Sequence, residues 1–371
     1  MTRIYLKDGQ CVIQDPTPRM IKFLQKMSPN FRIESFQPSP GFVPKFQKLK
    51  KERIILKQPL SELGREDLRS ILFRKHSRKE NSDDGYAYSL FDILHAFSLS
   101  EMSNCAFCGR NCQVNRFSGI KGKCGLRSHF YVSHPFTHIA EESEINPAIV
   151  INFGGCGMQC KYCNTPEVWT CQNFHLLEPK ACWAEINDLM MQGTPINTIE
   201  FTNPTESLPG VIGILFHAPT KFSSAVVMNC HSYGSQAFYD LAGQITDVWL
   251  PDLRYGNDKC AKVLSGVNNY MKFAKLGLDA MVQYGSRIIV RILVLPGHIS
   301  CCHEPAMELL SQYKDKVWVS VLDQYVPEHE AHLDPNLKRR PTKEEIEAVN
   351  SLVEKYGLQN ILTDSKDFWR L

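Results

Sequence analysis

The chain has no apolar run long enough to cross a bilayer. Its longest, around residues 149–153 and 288–295, fall far short of the ~20 residues a spanning helix needs. The opening MTRIYLKDGQ lacks an apolar core, so no secretory signal is expected and the protein is assigned to the cytoplasm, with no membrane partner. A charge excess is missing as well: a net +3 over 371 residues gives no reason to invoke a polyanionic partner. No internal repeat or low-complexity tract is evident. At this length, that leaves one large domain, or a main domain with an extension.

Cysteine is abundant, with fourteen residues. In a reducing cytoplasm clustered thiols mean metal or redox chemistry rather than structural disulfides. Cys105, Cys108, Cys112 and Cys124 form one group, and Cys156, Cys160 and Cys163 a second. Cys11, Cys171, Cys182, Cys230, Cys260, Cys301 and Cys302 are scattered and read as small buried hydrophobes.

Three regions follow from the pattern. Residues 1–100 form a partly helical, basic extension, with a short helix over 18–26 and a proline-rich connector over 37–45. From Lys45 to Lys79 basic residues outnumber acidic ones, which fits a solvated helical face or a docking surface for an acidic partner. No aromatic residues interleave with these charges at a base-stacking spacing, which argues against nucleic acid. Residues 101–145 are a small cysteine-rich, metal-binding segment.

Residues 146–371 alternate apolar runs with amphipathic stretches. Strands are expected at 149–153, 198–201, 225–228, 247–250, 287–293 and 317–322. Residues 180–191 put Cys182, Trp183, Ile186, Leu189 and Met190 near one helical face, with Gly193 as C-cap. Thr342 and Glu345 form a capping box for a last helix that stops at Gly357. Six such units predict an α/β fold, a partial (β/α)6 TIM-type barrel.

Chemistry in such a barrel collects at the C-terminal ends of the strands. The second cysteine group follows the first strand there. Thr202 to Thr205, Asn229 to Ser232, Pro251 to Arg254 and Pro296 to His298 fall on the same rim. Three thiolates can hold three irons of a cubane cluster and leave the fourth iron open. A zinc site would want a fourth ligand, and His175 is the one within reach. Gly154, Gly155 and Gly157 suit a backbone that approaches a bulky inorganic core, and Tyr162 an aromatic that packs on a flat ligand. The first group supplies four thiolates, a closed set that fits a structural zinc or a second iron–sulfur cluster.

The C-x3-C-x2-C loop with an aromatic before its last cysteine resembles the radical S-adenosylmethionine (SAM) superfamily. FGGCGMQCKYCNTPEVW, DVWLPDLRY, VRILVLPG, the stretch from Asp323 to Asn360 and the upstream CAFCGRNCQVNRFSGIKGKCG are similar to pyruvate formate-lyase activating-enzyme homologues, over about residues 103–362. The resemblance implies a [4Fe-4S] cluster on Cys156, Cys160 and Cys163 with SAM on its open iron. One electron, from a donor such as flavodoxin or ferredoxin, would cleave SAM to methionine and a 5′-deoxyadenosyl radical for hydrogen abstraction. The best-known relatives act on a backbone glycine of a glycyl-radical enzyme.

Homologues place Gly-Gly-Asp-Pro-Thr after the second strand, where this chain has Phe201-Thr202-Asn203-Pro204-Thr205. Thr202 and Asn203 would then meet the SAM amino group, with Asn229, Asp252 and Arg254 as further contacts. Arg291 would pair with the SAM carboxylate, the alternative being a buried ion pair with a neighbour such as Asp252. His138, Glu141 and Glu142 match an H-x2-E-E stretch, at the barrel mouth or in a surface acidic turn. No catalytic side chain is singled out. Two competing readings stand: a radical SAM enzyme on another substrate, and a non-catalytic iron–sulfur or zinc scaffold.

Overall fold

The computed structural model describes residues 42–73, 85–139, 141–142, 144–191 and 196–361, and the backbone of a hairpin, Arg3–Lys7 with Gln10–Gln14. The expected helix at 18–26, the start of the connector, the basic residues 74–79 and the Gly193 cap lie outside the described residues.

The core is an eight-stranded sheet whose strands follow one another in space as they do in sequence: β1 (Phe136–His138), β2 (Ala148–Asn152), β3 (Thr198–Thr202), β4 (Ala225–Cys230), β5 (Val248–Pro251), β6 (Arg287–Leu293), β7 (Trp318–Leu322) and β8 (Gln359–Asn360). All pairs from β2 to β8 are parallel; β1 runs antiparallel to β2. The sheet does not close, and β1 and β8 are its edges. Strands β3 to β5 are buried almost throughout, as expected of parallel strands covered on both faces.

The helices between the strands are amphipathic or wholly buried. In Pro179–Met191, Cys182, Trp183 and Ile186 face inward, as their spacing predicts. Leu208–Phe216 is buried over eight of its nine positions, with Pro209 in its first turn. The last helix, Lys343–Lys355, starts with the expected capping box and is followed by Gly357 at φ +63°.

The helix Lys45–Lys51 lies at the N-terminal ends of the strands, opposite the cysteine loop. Phe46 is fully buried against Phe91 and Phe222. Lys45 donates through Nζ to Tyr284 O (2.8 Å) and Ser286 Oγ (2.7 Å), and Lys50 to the carbonyls of Phe216 and Ala218. These two lysines cap carbonyls at helix ends and loops; they do not form a solvated face or a docking surface. Burial pulls the Lys45 ammonium down to about 8.

Candidate active site

Strand register assembles a polar row at the C-terminal ends. Asn152, Thr202 and Asn229 are direct partners across β2, β3 and β4. Asp252 bridges Arg291, which pairs with Ser320 across β6 and β7. Side chains at alternate positions share a face, so Glu200, two residues before Thr202, points the same way.

All of these but Ser320 line a cavity of about 380 Å3. Its wall holds Tyr162, Cys163, Thr202, Asn229, Asp252, Arg254 and Arg291, together with His138 and Glu141. Residues far apart in sequence are thus gathered at the end of the cysteine loop. The H-x2-E-E stretch approaches the mouth. His138 Nε2 lies 2.9 Å from Glu141, and that hydrogen bond draws the Glu141 carboxyl down to about 2 against the opposing effect of burial.

The structure changes the role expected of Arg291. Its Nε and one terminal nitrogen donate to the two oxygens of Glu142, at 2.9 and 2.6 Å. Glu142 is fully buried and also accepts from Ser320 Oγ (2.8 Å). Burial disfavours the guanidinium charge, but Glu142 outweighs it and the Arg291 pKa rises. The bidentate edge expected for a ligand carboxylate, or for Asp252, is occupied by Glu142. Asp252 pairs instead with Arg254 at 2.7 Å. The Nε of Arg254 is buried in the cavity region without a hydrogen-bond partner.

Asn203 also departs from expectation, since it is not in the cavity wall. It sits at φ +56° and donates through Nδ2 to the carbonyls of Phe153 (3.1 Å) and Gly155 (2.7 Å). It thereby anchors the root of the cysteine loop. Thr202 and Asn229 both donate to Glu200 Oε1, at 3.2 and 2.7 Å. Glu200, 3% exposed, is the acid the sequence reading missed. Its place in an alternating strand, two before Thr202, was the available signal.

The loop carries Cys156, Cys160 and Cys163, the first two buried. Ser265 Oγ lies 3.0 Å from Cys160 Sγ, and Lys161 N–H donates to Leu264 O. Burial pushes the Cys156 thiol well up, with Glu206 and Cys160 adding to it. Protein contacts alone already require the glycines. A Cβ on Gly154 would lie 2.9 Å from Cys171 Sγ, and one on Gly155 (φ +85°) 2.4 Å from Leu126. A Cβ on Gly157 would lie 2.6 Å from Glu206 and 3.0 Å from Cys108 Sγ.

That last contact joins the two cysteine groups. Arg110 crosses between them, donating to Gly157 O (2.7 Å) and Ser265 O (3.1 Å). Buried Glu206 accepts from Gly157 N–H (2.9 Å) and lies 3.2 Å from His231 Nε2. Burial raises its carboxyl, but His231 and that N–H prevail and hold it below its ordinary value. Arg116, fully buried, donates to Arg127 O and Glu206 O and keeps one terminal nitrogen without a partner. Burial and then Glu206 push Cys124 up to about 12, with Arg116 acting the other way.

His175 does not reach the loop. Its ring stacks on His134 (4.4 Å between centroids), in a group with Glu185. No three thiols of Cys105, Cys108, Cys112 and Cys124, nor those of the loop, lie within 4.8 Å of one another. A single tetrahedral ion would need thiolates about 3.8 Å apart.

Fold and site together define an α/β protein with a mostly parallel sheet and a three-cysteine loop at the mouth of a polar cavity. No protein-family model matches the chain. It is 30% identical over 280 residues to the uncharacterized protein MJ0674 of Methanocaldococcus jannaschii, covering 74% of this chain and 81% of that protein. The chain belongs to the family of that protein. Among solved structures, that of methylornithine synthase (PylB) aligns with a TM-score of 0.37 and 12% identity, covering 84% of this chain and 81% of that one. Among the described residues no helix is long and apolar enough to cross a membrane.

Proposed function

We propose that this chain is a radical SAM enzyme, with a [4Fe-4S] cluster on Cys156, Cys160 and Cys163 and SAM in the adjoining cavity. The observation that carries the reading is that Cys163 shares one cavity wall with Thr202, Asn229, Asp252 and Arg254, from three other strand ends. The cavity volume is in the range of small-molecule sites. When bound, the cluster and SAM supply reductive cleavage of a sulfonium and hydrogen abstraction.

The residues present fit these groups. Three thiols and the Ser265 hydroxyl suit an iron–sulfur core. The partnerless Arg254 Nε offers a donor to a carboxylate, and Glu200, braced by Thr202 and Asn229, an acceptor to an ammonium. Buried Tyr162, with Tyr255 and Tyr325 edge-on to it, helps keep water out. Cys105, Cys108, Cys112 and Cys124 hold a second metal group. That group is a zinc ion or a second iron–sulfur cluster, and the buried Arg116 near Cys124 offsets its thiolate charge in either case. The finer assignment, glycine activation of a partner enzyme with an electron from a flavodoxin or ferredoxin, is supported by the sequence resemblance alone.

The test is anaerobic reconstitution with iron and sulfide, reduction, and assay for 5′-deoxyadenosine. SAM-dependent product that is lost on changing Cys156, Cys160 and Cys163 to alanine is expected. A reduced, iron-loaded protein that neither binds nor cleaves SAM would leave the scaffold reading in its place.

A further inference from the structure

Three of the scattered cysteines pack in or against the core, as expected, but they also meet one another. Cys260, Cys301 and Cys302 meet His298 with all four ligand atoms within 4.8 Å of one another. Cys260 Sγ lies 3.7 Å from Cys301 Sγ, and Cys301 Sγ 3.9 Å from Cys302 Sγ. His298 Nδ1 is 3.3 Å from Cys301 Sγ and 3.9 Å from Cys302 Sγ. A tetrahedral zinc with ordinary bond lengths needs sulfur–sulfur edges of about 3.8 Å and sulfur–nitrogen edges of about 3.6 Å.

The local backbone is built around this cluster. Cys301 and Cys302 lie in a single π-helical turn, Ile299–His303, a distortion that often marks functional positions. His303 is not available to the cluster, because its Nε2 accepts from Leu295 N–H (3.0 Å). His298, in contrast, is buried with its Nδ1 facing Cys301 and Cys302. Asn257 caps the helix Asp258–Ser265 by accepting from Cys260 N–H (2.7 Å), and its Nδ2 points at Cys260 Sγ from 3.3 Å and at the Cys301 carbonyl. An amide donor on a ligand sulfur is the usual outer support of a metal site.

We propose that Cys260, His298, Cys301 and Cys302 bind one zinc ion as a closed structural site, separate from both other cysteine groups. Binding converts three thiols to thiolates and releases three protons. Four protein ligands leave no open position, so the ion does no chemistry of its own. It clamps the crossover after β5 to the turn after β6. The two already touch: a Cβ on Gly256 would lie 2.2 Å from Cys302 O. The clamp therefore fixes the loop that carries Asp252 and Arg254.

The test is zinc and iron analysis of the purified full chain beside a Cys301→Ser, Cys302→Ser double variant. The variant should lose about one zinc per chain, keep its iron, and melt at a lower temperature. Equal zinc in both proteins would overturn the proposal. If the variant does not fold, alkylation of the native wild-type protein with peptide mapping decides. Cys260, Cys301 and Cys302 should be protected until a chelator strips the zinc. Free labelling of the three in the metal-loaded protein, or a disulfide among them, would overturn it.

Discussion

Arg291 and Arg254 come from adjoining stretches and end in one cavity wall, yet their surroundings differ. Arg291 is held by a fully buried carboxylate along one edge of its guanidinium, through Nε and a terminal nitrogen. Removing one partner of such a pair strands the other charge, which costs about 3–5 kcal/mol. Arg291→Ala should therefore lower the unfolding free energy by about that much, read from denaturant titration. Arg254 has a partnerless Nε and a partly exposed Asp252 beside it. Arg254→Ala should leave the unfolding midpoint close to wild type and weaken SAM binding about tenfold or more, since one charge-assisted hydrogen bond contributes about 1.5–3 kcal/mol. Equal loss of stability in both variants would contradict this division. The sequence showed both arginines on the rim, but not that Glu142 closes off Arg291. Glu142 is 149 residues from Arg291, and that kind of distance leaves no local signature.

At the scale of elements, the strands were the most legible part. All six expected strands are present, and β6 has the expected limits. Parallel strands buried on both faces print a continuous apolar run, which needs no partner to be recognised. The edges β1 and β8 were missed because three and two residues are too few to show a period. The cysteine loop was legible because its ligands lie within eight positions. The Cys260–His298–Cys301–Cys302 group was not, because it assembles from two crossovers. The capping box of the last helix was legible too, but its reach was not. Glu345 also accepts from Gly297 N–H (2.7 Å) and holds Arg339 at 2.7 Å, so one cap anchors part of the rim. Thr342→Ala should cost about 1 kcal/mol, the usual loss of an N-cap. Glu345→Ala should cost more, and equal shifts in the denaturant midpoint would show that the rim contacts add nothing.

For the whole molecule, the helices Lys45–Lys51 and Leu90–Ser100 are packed onto the α/β core rather than forming an appendage. Gln47, almost fully buried, donates to Pro219 O (2.6 Å), and Lys45 N–H to Asp247 (3.0 Å). Deleting residues 1–100 would expose the faces that Phe46 and Phe91 cover. The remainder, expressed alone, should be largely insoluble; a soluble fragment melting at the wild-type temperature would refute this. The same packing has a consequence for the order of events on the ribosome. Lys45 emerges early, yet its carbonyl and hydroxyl partners lie 239 and 241 residues later. At 5–20 residues per second that is a wait of about 12–50 s for Lys45, while Phe46 waits about 9–35 s for Phe222 and Phe91 about 6–25 s for Phe216. A nascent chain stalled before Phe216 should therefore be a client for hydrophobic-binding chaperones, and one stalled well beyond Phe222 should bind them less.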